Sequence, residues 1–200
     1  MLSLFQKGGP VMWPILILSI ITMGVVIERA IFVLREFRRR DKAVVHRLFE
    51  CVQHGKLEEA IKIGRGSTDM IAKVLTEGLE HRESSLDDAL LEAASKELDQ
   101  YNRGLVVLDT AVTLGPLLGL LGTVTGMMKA FGIVGGSDLA DKQQAITGGI
   151  AESLIAVSFG LIVAIVAILP LNYFSAKLEQ VRRQIEASMN QLTILLRKLG

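Results

Sequence analysis

Apolar residues of this chain are concentrated in three long windows that are separated by charged stretches. Each window is longer than the roughly 20 residues that an α-helix needs to cross the hydrocarbon core of a bilayer. We therefore predict an all-α membrane protein with three transmembrane helices and with long helices that extend into the cytoplasm. The windows are residues 11–34, 105–134 and 143–171.

Few charges interrupt these windows. Asp109 and Lys129 lie towards the two ends of the second window, and Glu152 is the one charged residue of the third. A carboxylate inside a span costs on the order of 2.5–3.5 kcal/mol even on the lenient insertion scale, and it usually faces a bundle interior or an aqueous cavity. Glu152 is therefore a candidate functional residue. A structural carboxyl group bonded to a neighbouring helix is the alternative.

Lysine and arginine flank the windows asymmetrically. They are frequent after the first and third windows, and sparse before the first window and between the other two. Because these residues favour the cytoplasmic side, we predict an external N-terminus and a cytoplasmic C-terminus. The residues after the windows are Arg35, Arg38, Arg39, Arg40, Lys42, Lys177, Arg182 and Arg183, whereas the other flanks contain Lys7 and Lys142.

The first window also fits a signal peptide, since Lys7 precedes an apolar core. No small-x-small cleavage site follows, and the apolar run continues past Glu28 and Arg29, so we expect a retained anchor.

The windows and the stretches between them predict a division of the chain into six parts. The parts are residues 1–34 for the N-terminal segment and first span, 35–104 for a cytoplasmic helical domain, 105–134 for the second span, 135–144 for a short periplasmic loop, 145–172 for the third span and 173–200 for a C-terminal cytoplasmic helix.

Both predicted cytoplasmic parts are typical of helix. Residues 84–88 (SSLDD) offer an N-cap serine with an acid three residues later, and no proline follows until Pro116, so a helix from about residue 86 is expected to pass directly into the second span. After the third span, an apolar stripe predicts packing either against the first cytoplasmic helix or against another subunit. The stripe consists of Leu178, Val181, Ile185, Met189, Leu192, Leu196 and Leu199.

Residues that carry chemistry are sparse outside the spans. Cys51, the single cysteine, forms no intramolecular disulfide, and His46, His54 and His81 lack metal-ligand spacing. The sequence shows no grouping of a nucleophile, a general base and an orienting residue. We therefore predict that the protein is not an enzyme and has no cofactor or metal site. Residues 64–68 (GRGST) lack the lysine and spacing of a P-loop. Residues 38–40 (RRR), beside a span, indicate contact with membrane lipids rather than nucleic acid.

The second and third windows carry small residues at helical spacing. Offsets of three and four place them on one face of each helix. Small faces let transmembrane helices approach closely, because packing rather than hydrophobicity drives association in lipid. We predict that these spans pack together through Gly115, Gly119, Gly122 and Gly126 on one side and Gly149, Ser153, Ala156, Gly160, Ala164 and Ala167 on the other.

Hydroxyl groups fall near Glu152 in depth. With the spans ending externally near residues 134 and 145, Glu152 lies about 10 Å deep, Thr123 about 16 Å and Ser158 about 20 Å, at 1.5 Å per residue. A carboxylate and hydroxyls at similar depth suit a proton path. The predicted pore-lining residues are Glu152, Thr123, Ser158, Val157 and Thr125.

Four segments together resemble the MotA/TolQ/ExbB proton channel family, and within it the ExbB/TolQ branch. They are GPVMWP at 9–14, Glu28 with Arg29, LGPLLGLLGTVTGMM at 114–128 and GIAESL at 149–154. The resemblance covers nearly the whole chain, including the plan of three spans with an external N-terminus.

The resemblance implies a proton-channel or stator subunit of a motor in the bacterial inner membrane. Five copies would enclose the span of a small ExbD/TolR-like protein, whose aspartate faces the hydroxyl-bearing wall. Inward proton flow would move that partner. Its periplasmic part, or a TonB/TolA-like protein, would deliver the energy to energised transport or envelope maintenance. One charge moved across 100 mV is worth about 2.3 kcal/mol.

By position, Thr123 matches the family's threonine of the second span and Glu152 its glutamate of the third. The family usually has a second threonine five residues after that glutamate, where this chain has Val157 followed by Ser158. Valine keeps the shape of threonine without its hydroxyl, and Ser158 is turned about 100° away on a helix. The departure concerns the proton path rather than the fold.

Two rival hypotheses remain at this stage. A flagellar MotA-type stator has four spans and a larger cytoplasmic domain, whereas three windows are available here. A non-conducting membrane scaffold of an envelope complex would use the same helices for assembly alone. Val157 favours the scaffold, whereas the combination of Glu152 and Thr123 favours a conducting subunit.

Overall fold

The computed structural model describes residues 7–132 and 139–199, and the regular elements of this part of the chain are α-helices. They are α1 (Met12–Arg39), α2 (Lys42–Gln53), α3 (Leu57–Arg65), α4 (Met70–Glu80), α5 (Arg82–Asn102), α6 (Leu105–Gly132) and α7 (Leu139–Leu199). Helices α1, α6 and α7 contain stretches long and apolar enough to cross a membrane. This confirms the prediction of an all-α protein with three candidate spans.

Helix α7 begins before the third candidate span that it contains. The helix begins at Leu139, so residues 139–144 of the predicted loop 135–144 are helical. Residues 139–147 (LADKQQAIT) contain neither proline nor glycine and several good helix formers, which explains the early start. Residues 135–138 of the predicted loop lie outside the described residues.

The chain folds into two compact units. Unit 1 comprises the described residues up to Arg29 together with Gly104–Tyr173, and unit 2 comprises Ala30–Arg103 together with the chain from Phe174 to the end of α7. The C-terminal part of α7 therefore belongs to the same unit as α2, α3, α4 and α5.

Unit 1 has a small apolar core and an apolar surface. Val11, Met12 and Ile15 pack with Val163 of α7 in its interior. Large apolar side chains remain exposed on all three long helices, among them Ile20, Met128 and Leu169. Such a surface is typical of helices that meet lipid or other subunits.

The helix that begins near residue 86 does not continue into α6. Helix α5 ends at Asn102, and Gly104 adopts the left-handed region with φ +77° before α6 begins. Glycine enters this region without steric cost and commonly ends helices. A Cβ at Gly104 would lie 3.0 Å from Val25 Cγ1 and 3.2 Å from Arg29 Cδ. The prediction of one continuous helix was therefore wrong, because Gly104 is a helix stop.

The predicted start of that helix is confirmed. The backbone of Ser85 is extended rather than helical, with φ −166° and ψ 87°, and its hydroxyl donates to the carboxylate of Asp88. An extended backbone is typical of an N-cap residue. The regular part of α5 therefore begins at Leu86, as residues 84–88 predict.

Unit 2 has a core of large aliphatic side chains. It includes the apolar stripe of the C-terminal part of α7, in which Val181, Ile185 and Leu192 are buried and Leu178, Met189 and Leu196 are partly buried. Of the two predicted partners for the stripe, these residues therefore use their own subunit. The side chain of Leu199 lies outside the described part. The stripe packs against Leu48, Val52, Leu75, Leu79 and Leu90, among others.

A buried carboxylate organises the start of two helices in unit 2. Asp69 accepts hydrogen bonds from two backbone N–H groups in the first turn of α4, at 2.8 and 3.2 Å, and from the N–H of Asp41 at 2.9 Å. Arg40 Nε lies 3.6 Å from Asp69, and Arg40 also donates to Gln184 at 2.7 Å. One of the three arginines expected to contact lipid therefore has protein partners inside unit 2.

Candidate functional site

The antiparallel helices α6 and α7 are in contact through their backbones. A Cβ added to Gly115 would lie 2.7 Å from the carbonyl oxygen of Gly160, and one added to Gly126 would lie 2.8 Å from that of Gly149. Distances this short leave no room for a side chain. The glycines of α6 thus permit a close approach that any larger residue would prevent.

The middle of this contact holds Gly119 and Gly122. An added Cβ on Gly119 would lie 3.0 Å from Val157 Cα, and one on Gly122 would overlap the Ala156 methyl group. Gly115, Gly119, Gly122 and Gly126 are all buried. On α7, Ala156 is fully buried and Ser153 is 4% exposed.

Ser153 supplies a polar connection across the same contact. Its hydroxyl oxygen lies 2.8 Å from the carbonyl oxygen of Gly149 in its own helix and 3.2 Å from that of Thr123 in α6. A buried hydroxyl is stable in an apolar interior only when it is hydrogen-bonded. This contact brings the backbone of Thr123 beside the turn of α7 that carries Glu152.

Glu152 forms an ion pair within the subunit. Its Oε1 lies 2.6 Å from Lys129 Nζ of α6, and its side chain is 17% exposed, whereas that of Lys129 is 50% exposed. The turn at Gly9 lies against the same carboxylate, since a Cβ on Gly9 would overlap Oε1. Residues from three segments of unit 1 thus surround Glu152.

The hydroxyls predicted for the pore bond mainly to their own helices. Thr123 donates to the carbonyl oxygen of Leu120 at 2.6 Å, Thr125 to that of Gly122 at 3.1 Å, and Ser158 to that of Leu154 at 2.8 Å. Such bonds satisfy the donor and leave the oxygen able to accept a further bond.

Val157 and Ser158 occupy different surroundings. Val157 is half-buried, and its Cα borders Gly119 of α6, whereas Ser158 is exposed. The structure therefore does not bring Ser158 to the place of Val157. At the position where the resemblance implies a second threonine, this subunit presents methyl groups.

Sequence reasoning missed the ionic partner of Glu152. Lys129 is the one basic residue of the second window, and Glu152 is the one acid of the third. Because charged groups inside spans tend to pair with one another, this combination was the available signal. The proximity of Gly9 left no comparable signal, since it depends on how the chain enters α1.

A metal ion in this part of the chain would need a group of suitable side chains to bind it. Within residues 7–132 and 139–199, no three His, Cys, Asp or Glu side chains come together in a way that could hold a metal ion. The polar groups described above at the α6–α7 contact are the Lys129–Glu152 ion pair and several hydroxyl groups.

The fold and the site define a class of protein. The chain is a multi-pass helical membrane protein in which an acidic side chain lies at the close-packed contact of two candidate spans. A model of the MotA/TolQ/ExbB proton channel family matches residues 66–187, which include both α6 and Glu152. The chain belongs to this family.

Individual relatives agree with this assignment. A protein named ExbB-like 1 from Synechocystis sp. is 34% identical, over 100% of this chain and 80% of the relative. The Tol-Pal system protein TolQ of Haemophilus influenzae is 31% identical, over 53% of this chain and 46% of the relative. The biopolymer transport protein ExbB of Xanthomonas campestris is 36% identical, over 47% of this chain and 37% of the relative.

Proposed function

We propose that this protein is a proton-channel and stator subunit of an inner-membrane motor, which couples the proton motive force to work in the cell envelope. The observation that carries the proposal is Glu152, a carboxylate at the contact of two spans in a member of a proton channel family. A charge in this position is costly, so its presence favours a functional role. The proposed work is energised transport or envelope maintenance, which the family resemblance implies; relatives are named as a biopolymer transport protein and a Tol-Pal system protein.

We propose that the N-terminus is external and that unit 2 lies in the cytoplasm. The distribution of lysine and arginine around the spans supports this orientation. It places the outer ends of α6 and α7, and with them Glu152, on the side from which protons enter.

The proposed assembly is a homopentamer that surrounds the span of an ExbD/TolR-like protein. The exposed apolar residues of α1, α6 and α7 suit contacts with lipid, with neighbouring subunits and with such a partner. A TonB/TolA-like protein is a further candidate for delivering the energy. The partner would carry the titrating aspartate of its own span, and Glu152 would shape the electrostatic field around it.

Thr123 is the proposed hydroxyl of the proton path. Its side chain is half-buried in the single subunit, and its oxygen retains the capacity to accept a hydrogen bond. We expect Val157→Thr to be tolerated, because the side-chain volume hardly changes. Loss of assembly in this variant would show that this site packs against lipid or backbone instead.

Complementation of a strain that lacks this protein tests the proposal. Glu152→Ala and Thr123→Ala should each abolish the energised process while the membrane level and oligomer size stay normal. Thr110→Ala is a control for Thr123, since Thr110 is an exposed α6 threonine that likewise donates to its own helix. Full activity of both site variants would refute the proposal.

A non-conducting membrane scaffold is the second candidate. Val157 in place of a hydroxyl, and a Glu152 already paired with Lys129 in its own subunit, are the observations that favour it. Proton flux into liposomes that contain the protein with its single-span partner separates the two. A scaffold would give the flux of empty liposomes, whereas a channel subunit would give a flux that is lost in Glu152→Ala.

A further inference from the structure

Three segments that are distant in sequence meet at the carboxylate of Glu152. Lys129 of α6 reaches it with its ammonium group, at 2.6 Å. The turn at Gly9, before α1, closes on it from another side, at a distance that leaves no space for a Cβ. All three segments belong to unit 1, so these contacts of the carboxylate form within one subunit.

The chemistry of Lys129 suits the role of a counter-ion here. Its flexible four-carbon stem bears a compact point charge, which can reach a carboxylate on the neighbouring helix while the stem lies along apolar surface. An ionised group that is mostly removed from water requires a partner of opposite charge. With the Glu152 side chain 17% exposed, Lys129 supplies that partner.

The turn at Gly9 contributes shape rather than charge. Gly9 has φ +75°, a region that favours glycine. Its neighbour Gly8 borders the Met12 side chain and Ile155 of α7. Any side chain at Gly9 would displace the carboxylate from Lys129, so the two glycines allow the turn to act as a wall of the site.

We propose that Lys129 is the positioning residue of Glu152, and that the turn at Gly8 and Gly9 is the third wall of the same site. The ammonium group holds the carboxylate against α6, and the turn prevents it from swinging towards α1. The contact itself rests on the geometry alone. Its consequence for transport rests on the proposed function, because it matters only when Glu152 acts in proton-coupled work.

The contact can be measured without any transport assay. The full protein in lipid bilayers, with ¹⁵Nζ-lysine and ¹³Cδ-glutamate, is examined by solid-state NMR for dipolar coupling between the two labels. A coupled glutamate resonance is expected in the unchanged protein and should disappear in Lys129→Arg, which keeps the charge and removes the labelled nitrogen. Other lysine–glutamate pairs, such as Lys56 with Glu59, remain in both samples and cancel in the difference. Identical spectra would overturn the proposal.

Transport by three variants separates positioning from a structural role. Lys129→Met should lose the energised process, and Lys129→Arg should retain most of it. The exchange Lys129→Glu with Glu152→Lys should restore the membrane level that either single reversal lowers, but not transport, because the carboxylate then stands on α6. Unchanged transport in Lys129→Met when Glu152→Ala abolishes it, or equal losses in Lys129→Met and Lys129→Arg at normal membrane levels, would overturn the role of Lys129.

The wall formed by Gly9 has its own matched control. Gly9→Ala and Gly55→Ala both force a residue with a side chain into a left-handed backbone, but the Cβ at Gly55 meets nothing within 4 Å. Gly55→Ala therefore reports the backbone cost alone. Gly9→Ala should in addition abolish the NMR coupling and transport. A Gly9→Ala protein that keeps both would refute the role of Gly9 as a wall of the site.

The outcomes distinguish this inference from the proposed function. If the coupling is present but Glu152→Ala and Lys129→Met transport normally, the site exists and the proposed function fails. If Glu152→Ala abolishes transport but no coupling is found, the proposed function stands and Lys129 is not the positioning residue.

Discussion

Small side chains line the contact between α6 and α7 in unit 1, whereas large side chains pack between the helices of unit 2. The contact between α6 and α7 is lined by glycine, alanine and serine, and the large apolar residues of these helices, such as Leu117 and Ile165, face outward. The core of unit 2 instead consists of large residues, and Leu75, Leu79 and Ile185 are almost completely buried. The same residue types thus occupy the surface of one unit and the interior of the other.

The surroundings of each unit explain this reversal. Next to water, burial of an aliphatic side chain is worth about 1.5–3 kcal/mol, so large residues collect in a core. Next to lipid tails, the outward position of a leucine costs nothing, and helices gain by approaching closely enough for backbone contact. Substitutions of opposite kinds should therefore damage the two units.

The largest effect is expected for removal of volume from the core of unit 2. Leu75→Ala should lower the free energy of unfolding by about 2–5 kcal/mol, because it creates a cavity in a core that cannot collapse fully. Equilibrium unfolding of the full chain in mixed micelles measures this. Leu91→Ala, at a residue that is 61% exposed on α5, is the control and should be nearly neutral. Equal losses in both variants would mean that unit 2 is not packed as described.

Addition of volume should be the damaging change in unit 1. Gly160→Ala brings a methyl group into contact with the carbonyl oxygen of Gly115 and with Gly119 Cα, so α6 and α7 must separate. Overpacking of this kind costs about 1–3 kcal/mol. Gly148→Ala on the same helix meets nothing within 4 Å and should be neutral or stabilising. Both are compared by unfolding in the same micelles, and no difference between them would contradict the close contact.

A smaller effect is expected from the polar support of unit 2. Asp69→Ala removes the N-cap of α4, which costs about 0.5–2 kcal/mol, and also removes the acceptor of the Asp41 N–H and the opposite charge near Arg40. Asp41→Ala, which removes the more exposed N-cap of α2, is the matched comparison. The loss for Asp69 should be the larger of the two in the same unfolding measurement. The reverse order would contradict the role of the buried carboxylate.

The smallest effect concerns pH. The hydrogen bond from Arg65 lowers the pKa of Glu80 below its usual value. A carboxyl group whose pKa is lower in the folded state stabilises the fold above its unfolded pKa, and this contribution is lost as the pH falls through the folded pKa. Glu80→Gln should therefore be slightly less stable than the unchanged protein at neutral pH and equally stable in acid. A difference that persists in acid would assign the effect to another cause.

Much of the structure of unit 1 could be predicted from the local pattern of apolar and small residues in each helix. The positions of the three spans, the glycine face of α6 and the small face of α7 are periodic features that each helix carries by itself. The sequence also marks the helix start after Ser85. The prediction of one continuous helix through Gly104 was wrong, because a single glycine between two helical patterns does not indicate whether a helix bends or ends there. Glycine adopts this left-handed backbone because it has no Cβ, and the lack of a Cβ also lets the chain pass close to Val25 and Arg29.

The surroundings of the site residues were harder to predict from the sequence pattern. Glu152 stands out in the sequence because an isolated acid in an apolar run is rare. Its contact with Lys129 depends on the relative register of α6 and α7, which the glycine contacts set. The position of Val157 against Gly119, with Ser158 facing outward, depends on the same register.

The sequence by itself determined which segments are apolar enough to span a membrane, which helix faces are small, and that the third window contains an isolated acid. These properties depend on composition and on the helical repeat, which are local. Only the tertiary structure decided that the C-terminal stripe packs within its own subunit, that Lys129 pairs with Glu152, and that the turn at Gly9 closes the site. These contacts join residues far apart in the chain, and their geometry depends on how closely whole helices approach one another.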